Sequence, residues 1–114
     1  MTLRNTSQSC LLVVAGKQKF QLGQLVATPA ALDVLFGINV MPVQLIRRHV
    51  SGDWGEIHPE DRGLNEQALV NGSRLMSVYK LKSSEAIDTE LEVTVWVITE
   101  ADRSVTTILL PSEY

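Results

Sequence analysis

The segment His49 to Asn65, HVSGDWGEIHPEDRGLN, concentrates the residue types that carry chemistry, since it holds two histidines, four acidic residues and a tryptophan. A short segment this rich in titratable groups, between two apolar helix patterns, is where a small domain places a site. With His49 as general base, Asp53 as its orienting partner and Arg103 stabilising an anion, the chemistry would be that of a small hydrolase or nuclease-like toxin. This hypothesis requires that the three side chains converge on one cavity.

Each of these residues also fits a structural role within its own helix end or turn. His49 lies at the predicted end of a helix, where its ring can tie the helix end to the following loop. Asp53 belongs to a turn sequence in which the carboxylate accepts from backbone N–H groups, and Arg103 belongs to a hairpin turn that favours a solvated local ion pair. Trp54 either plugs the core beneath the loop or lines an interface, and Asn65 can hold the loop through its amide. We therefore expect that the catalytic candidates do not all converge.

A metal site can be written from His49, Asp53, Glu56 and His58, but their spacing matches no zinc pattern. The sequence also contains no complete nucleophile motif and no phosphate-binding loop. We therefore predict neither a metal nor a cofactor.

The net charge limits the classes of binding partner that we expect. Ten Lys and Arg against thirteen Asp and Glu give a net charge of -3, which removes the electrostatic drive for sequence-independent DNA binding. Arg47 and Arg48 form the one obvious basic patch, so nucleic acid is not expected as a partner. No stretch approaches the roughly 20 apolar residues that a membrane span requires. The single Cys10 suits a reducing cytoplasm, and we expect a cytoplasmic protein without a membrane partner.

The elements that position these residues follow from two periodicities. Proline at the first helical position and apolar residues at helical spacing predict three helices, Pro29 to Phe36, Pro42 to His49, and Pro59 to just before Gly72, the last with Leu64, Ala68 and Leu69 facing inward. Alternating apolar residues then predict strands over Arg74 to Leu81, Leu91 to Glu100 and Val105 to Leu110. The fold class is α+β, with three short helices packed on one face of an antiparallel β-meander of three to four strands.

The chain has the length of one domain. We assign residues 20–114 to a single α+β domain. Residues 1–19 begin with a polar stretch without periodicity, so they form either a flexible leader or an extra strand near Leu11 to Val14.

The two faces of the second strand predict different environments. Val93, Val95 and Val97 share the core face, whereas Trp96 and Ile98 lie on the opposite face. Since the helices of so short a chain cover one face only, we expect Trp96, Ile98 and the Trp54 loop to form an exposed interface, joined by Tyr79 and Ile108 if the strand register permits. A twofold homodimer is the simplest way to bury such a patch.

Three strings of the chain resemble a family of small bacterial proteins found on plasmids and other mobile elements. They are LGQLVATPAAL at Leu22 to Leu32, RHVSGDWGEI at Arg48 to Ile57 and VWVITEADRSVTTILLPSEY at Val95 to Tyr114. Members carry labels such as "plasmid-related protein" or modification subunit of a type I restriction enzyme. The resemblance implies a mobile-element or gene-cassette context and assigns no activity to particular residues. Family members usually begin near the equivalent of Phe20, so the leader departs from the pattern.

Two classes of function therefore remain for this chain. The preferred hypothesis is a non-enzymatic protein-interaction or accessory module of a mobile element that self-associates as a homodimer or binds another protein. The alternative is the hydrolase or nuclease-like toxin with its site at the HVSGDWG loop.

Overall fold

The computed structural model describes residues 2–3, 18–82 and 92–114. Its strands are β1 (Thr2–Leu3), β2 (Gln24–Ala27), β3 (Leu75–Lys82), β4 (Glu92–Thr99) and β5 (Val105–Leu109). Its helices are α1 (Pro29–Gly37), α2 (Pro42–Val50), α3 (Pro59–Asn71) and a short 3-10 helix, Pro111–Glu113. The α+β class predicted from the two periodicities is confirmed.

The three α-helices begin and end where local chemistry predicts. Each has proline in its first turn, where the missing N–H costs no hydrogen bond. The Thr28 hydroxyl caps α1 by accepting from the Ala31 N–H, and Gly72 ends α3 in the left-handed conformation that glycine adopts without strain. Within the described residues no single helix is long and apolar enough to cross a membrane; α1 and α2 pass that test only as a pair, bent by 104°.

The sheet contains the predicted meander and is extended by strands that the sequence pattern did not place. Its strand order is β1-β2-β5-β4-β3, and β3, β4 and β5 pair as consecutive antiparallel neighbours. Strand β2 pairs in parallel with β5, so the sheet as a whole is mixed, while the part predicted from the sequence, β3 to β5, is antiparallel. A four-residue strand whose partner lies about eighty residues away leaves little local signal, because its pairing is decided by the path of the whole chain.

One face of the sheet carries the core. Tyr79, Val95, Val97 and Ile108 are buried there, whereas Val93 near the strand end is half-buried. Buried side chains of all three helices belong to the same cluster, namely Ala31, Leu35, Leu45, Ile46, Val50 and Ala68. Since register places Tyr79 beside Val95 and Ile108 beside Val97, neither joins Trp96 on the opposite face, which corrects that part of the predicted patch.

The beginning of the chain contributes to the sheet. Thr2 and Leu3 pair antiparallel with Val26 and Leu25, which places an extra strand at the edge beside β2. The segment Leu11 to Val14, where the sequence suggested such a strand, lies outside the described residues.

Candidate functional site

His49 lies in the last turn of α2 with no accessible surface, enclosed by the sheet and two aromatic rings. Its Nδ1 is 2.6 Å from the Ser77 hydroxyl and its Nε2 is 2.9 Å from the Thr99 hydroxyl. The rings of Phe20 and Trp54 meet it edge-on at 5.1 and 5.8 Å between centroids. The imidazole therefore ties α2 to the sheet, not to the following loop as the sequence suggested.

The hydrogen bonds around His49 fix its tautomer. The carbonyl of Leu22 can only accept, so the Thr106 hydroxyl donates to it over 2.7 Å. Thr106 Oγ1 must then accept from the Thr99 hydroxyl, 2.7 Å away, and Thr99 Oγ1 must accept from His49 Nε2–H. This leaves Nδ1 as the acceptor for Ser77, so both ring nitrogens of a neutral imidazole are satisfied.

Burial also sets the protonation state of His49. Desolvation lowers its pKa to about 3, and the positive charge of Arg103 lowers it in the same direction. A neutral imidazole with both nitrogens bonded and no exposed surface cannot take a proton from a substrate in solvent. His49 is therefore a core residue rather than a general base.

Asp53 pairs with Arg48 and not with His49. Arg48 Nε donates to Asp53 Oδ2 over 2.7 Å and Nη2 donates to Oδ1 over 3.3 Å, the only ion pair among the described residues. The Gly55 N–H also donates to Asp53 Oδ1 over 3.1 Å, which is the turn role predicted from the sequence. The Arg48 guanidinium, followed in effect by the Gly55 N–H, holds the pKa of the Asp53 carboxyl below its usual range. Arg48 in turn lies over the Tyr79 ring at 4.3 Å, so the pair belongs to the support of the loop.

Arg103 is a structural clamp. It adopts a left-handed conformation with φ of 59°. Its guanidinium donates to the carbonyls of Ser73 (2.7 Å), Ala68 (3.0 Å) and Glu100 (3.2 Å), and it lies 5.8 Å from the Phe20 ring. The prediction of a solvated ion pair at this turn is therefore wrong, because the acceptors are backbone carbonyls. By binding them, Arg103 joins the end of α3 to the β4–β5 turn. The hydrogen bonds recorded for His49, Asp53 and Arg103 do not link any two of them within the described chain.

Trp54 fills the interior beneath the loop. It is buried, its ring stacks on Phe20 at 6.1 Å between centroids, and its Nε1–H donates to Glu66 Oε2 over 2.8 Å. The expectation that Trp54 forms an interface is therefore wrong, since the indole finds both its apolar contacts and its acceptor inside the same chain.

The loop around Trp54 closes the free edge of the sheet. The Val78 N–H donates to the Trp54 carbonyl over 3.0 Å, and the Glu56 N–H donates to the Val78 carbonyl over 2.7 Å. The Glu56 carboxylate accepts from the Lys80 N–H over 3.2 Å. Met76 lies two residues before Val78 on the same edge. The Asn65 side chain accepts from the Met76 N–H and donates to the Met76 carbonyl. The outward-facing backbone groups of Met76 and Val78 and the N–H of Lys80 are therefore all paired within the chain, which hinders extension of the sheet by another chain there.

Gly55 is required for this closure. Its φ is +73°, and a Cβ built on it would lie 2.0 Å from the Val78 carbonyl oxygen. Any other residue would separate the loop from the strand.

His58, the other histidine of the candidate metal set, lies at the surface and caps a helix. His58 Nδ1 accepts from the Glu60 N–H over 3.4 Å at the start of α3. In the portions of the chain that the structure describes, no three histidine, cysteine or acidic side chains form a group able to hold a metal.

An open groove lies between α3, the start of β3 and the C-terminal residues. It has a volume of about 320 Å³ and is lined by Ile57, Asp61, Leu64, Asn65, Arg74, Met76, Trp96 and Tyr114. The Trp96 and Tyr114 rings pack edge to face at 5.4 Å. Leu64 and Tyr114 are 60% and 62% exposed, so the groove is bordered by large apolar side chains in contact with solvent.

This groove replaces the interface predicted on the sheet. Trp96 belongs to it and is half-buried, but Ile98 is only 3% exposed, so the expected exposed pair does not form. Leu64, expected to face inward, is exposed, because α3 turns Asn65 and Ala68 towards the interior instead. The helical spacing alone did not distinguish a leucine at the border of the buried stripe from one within it.

The fold and site define an α+β domain with a mixed sheet. A loop pairs with one edge of that sheet, and an apolar groove lies beside it. Comparison of the chain with protein-family models, curated proteins and solved structures finds no significant match in any of the three.

Proposed function

We propose that this protein is a non-enzymatic interaction module that self-associates through the groove bordered by Leu64 and Tyr114. The observation that carries the proposal is the position of these two exposed apolar side chains beside the half-buried Trp96. Large exposed apolar groups around a concave surface, rimmed by polar residues, are characteristic of association sites.

The contacts of the three candidate catalytic residues support the proposal of a non-enzymatic module. His49 is enclosed and neutral, Asp53 pairs with Arg48, and Arg103 binds backbone carbonyls. The hydrolase or nuclease alternative needs an accessible base with its orienting carboxylate. No observation among the described residues of this site favours that alternative.

The cellular setting is also part of the proposal. The resemblance of three strings to small plasmid and mobile-element proteins supports an accessory role for such an element, and the single Cys10 supports action in the cytoplasm. The module acts there as a homodimer.

The test is the mass of the purified full chain in solution, measured by sedimentation from low to high micromolar concentration. We expect a dimer in the wild type and a folded monomer in Leu64→Glu. Val70→Glu is the matched control, because Val70 is 89% exposed on the same helix but outside the groove. A wild type that stays monomeric, or equal dissociation by both variants, would overturn the proposal. Trp96→Glu provides a second disruption from the strand side.

A further inference from the structure

The groove has charges of opposite sign at its two ends. Asn65 on α3 pairs with the backbone of Met76 on β3, which marks the middle of the groove. Asp61 lies one helical turn before Asn65, towards the start of α3, whereas Arg74 lies two residues before Met76, beside the end of α3. Since β3 runs back along the helix, Asp61 and Arg74 lie on opposite sides of that middle point.

Arg74 is held in place by the C-terminal residue. One of its Nη2 N–H groups donates to Tyr114 Oη, and its guanidinium carbon lies 5.3 Å from the centre of the Tyr114 ring. A guanidinium has five N–H donors, so a carboxylate can still bind to its remaining side. Because Arg74 is already held in the free protein, its side chain loses less entropy when it forms an intermolecular contact.

This arrangement is self-complementary. A twofold axis through the middle of the groove exchanges its ends, which brings Asp61 of one copy opposite Arg74 of the other, twice. The exposed Leu64 of each copy then faces the apolar lining of the partner's groove. A rim of one sign would instead repel its own twofold image.

We propose that the occupant of the groove is a second copy of this chain, bound in a twofold dimer whose register is set by reciprocal Asp61–Arg74 ion pairs. This inference rests on the proposed self-association and adds its geometry. The ion pairs select the orientation, and the apolar centre supplies the contact area.

Charge reversal tests the pairing. In Asp61→Arg the two reciprocal contacts become Arg–Arg, and in Arg74→Glu they become Asp–Glu, so each variant alone should dimerise at least tenfold more weakly than the wild type. An equimolar mixture of the two variants restores opposite charges at both contacts. Sedimentation of the mixture should therefore show a heterodimer with affinity within a few-fold of the wild type. The double variant Asp61→Arg with Arg74→Glu should also dimerise.

Controls separate this inference from the proposed function. Asp33→Arg and Arg47→Glu make the same charge changes on exposed residues of α1 and α2, away from the groove, and should leave dimerisation unchanged. Far-UV circular dichroism and an unfolding curve confirm that each variant is folded. A dimer that Leu64→Glu dissociates but that shows no recovery in the mixture or the double variant would overturn the reciprocal pairing while leaving self-association intact. A monomeric wild type would overturn both.

Discussion

Asn65 pairs with the backbone of Met76 as a neighbouring strand would, its Nδ2–H donating to the Met76 carbonyl over 2.7 Å and its Oδ1 accepting from the Met76 N–H over 3.2 Å. One side chain on a helix thus satisfies both outward-facing backbone groups of an edge residue. With the Trp54–Glu56 loop, it converts an edge open to aggregation into a closed one.

Removing the Asn65 amide should therefore destabilise the domain. Asn65→Ala leaves the donor and acceptor of Met76 without these partners, and we expect the free energy of unfolding to fall by about 1–3 kcal/mol. Gln67→Ala on the exposed face of α3 should change it by less than about 0.5 kcal/mol. Urea unfolding of the two variants provides the measurement, and equal effects would contradict the edge-pairing role.

Two glycine substitutions should have opposite effects. Gly55→Ala places a methyl group against the Val78 carbonyl at a positive φ, so we expect a loss of more than about 3 kcal/mol. Gly63→Ala lies within α3 with nothing near its added Cβ, and should gain about 0.5–1 kcal/mol through helix propensity. Thermal unfolding of both variants checks the pair. A Gly55→Ala protein as stable as the wild type would show that the loop does not need its close approach to β3.

His49 should make the domain sensitive to mild acid. Its pKa is lowered from 6.5 to about 3 on folding, so below pH 6.5 the unfolded chain takes up a proton that the folded chain does not. The free energy of unfolding should therefore fall as the pH decreases from 6.5 towards 3, by about 1.4 kcal/mol per pH unit, and this contribution is fully present above pH 6.5.

Denaturant unfolding between pH 5 and 7 measures this slope in a window above the titration of the carboxylates. His49→Gln should abolish it, since glutamine keeps a donor for Thr99 but does not titrate. His58→Gln removes the other histidine, which caps α3 at the surface, and should keep the slope. A slope that survives in His49→Gln would assign the acid sensitivity to other groups.

Arg103→Ala should weaken the junction between α3 and the β4–β5 turn. The substitution removes donors to the carbonyls of Ala68 and Ser73 and the contact with Phe20, so we expect a loss of about 2–3 kcal/mol. Arg103→Lys should recover less than half of that loss, because an ammonium lacks the planar fork that reaches both carbonyls. Arg47→Ala serves as the exposed arginine control. Chemical denaturation compares the three, and full recovery by lysine would mean that charge alone matters.

Local patterns predicted most of the elements, because the determinants of each helix and strand lie within a few residues. Prolines at Pro29, Pro42 and Pro59 mark the helix starts, and Gly72 marks the end of α3. The alternation after Arg74 placed β3, β4 and β5 to within about a residue or two, since a half-buried strand repeats every two residues. The turn role of Asp53 followed from the same local chemistry.

The sequence by itself thus determined the three helices, the three strands of the meander and the face of β4 that carries Val95 and Val97 into the core, since these depend on propensity, caps and period. Only the tertiary structure decided that β2 pairs with β5, that His49 binds Ser77 and Thr99, and that Arg103 reaches Ala68. It also decided that Leu64 borders a groove with Tyr114. These contacts join residues far apart along the chain, and no local pattern encodes which distant backbone group or side chain will lie within hydrogen-bonding distance once the core has packed.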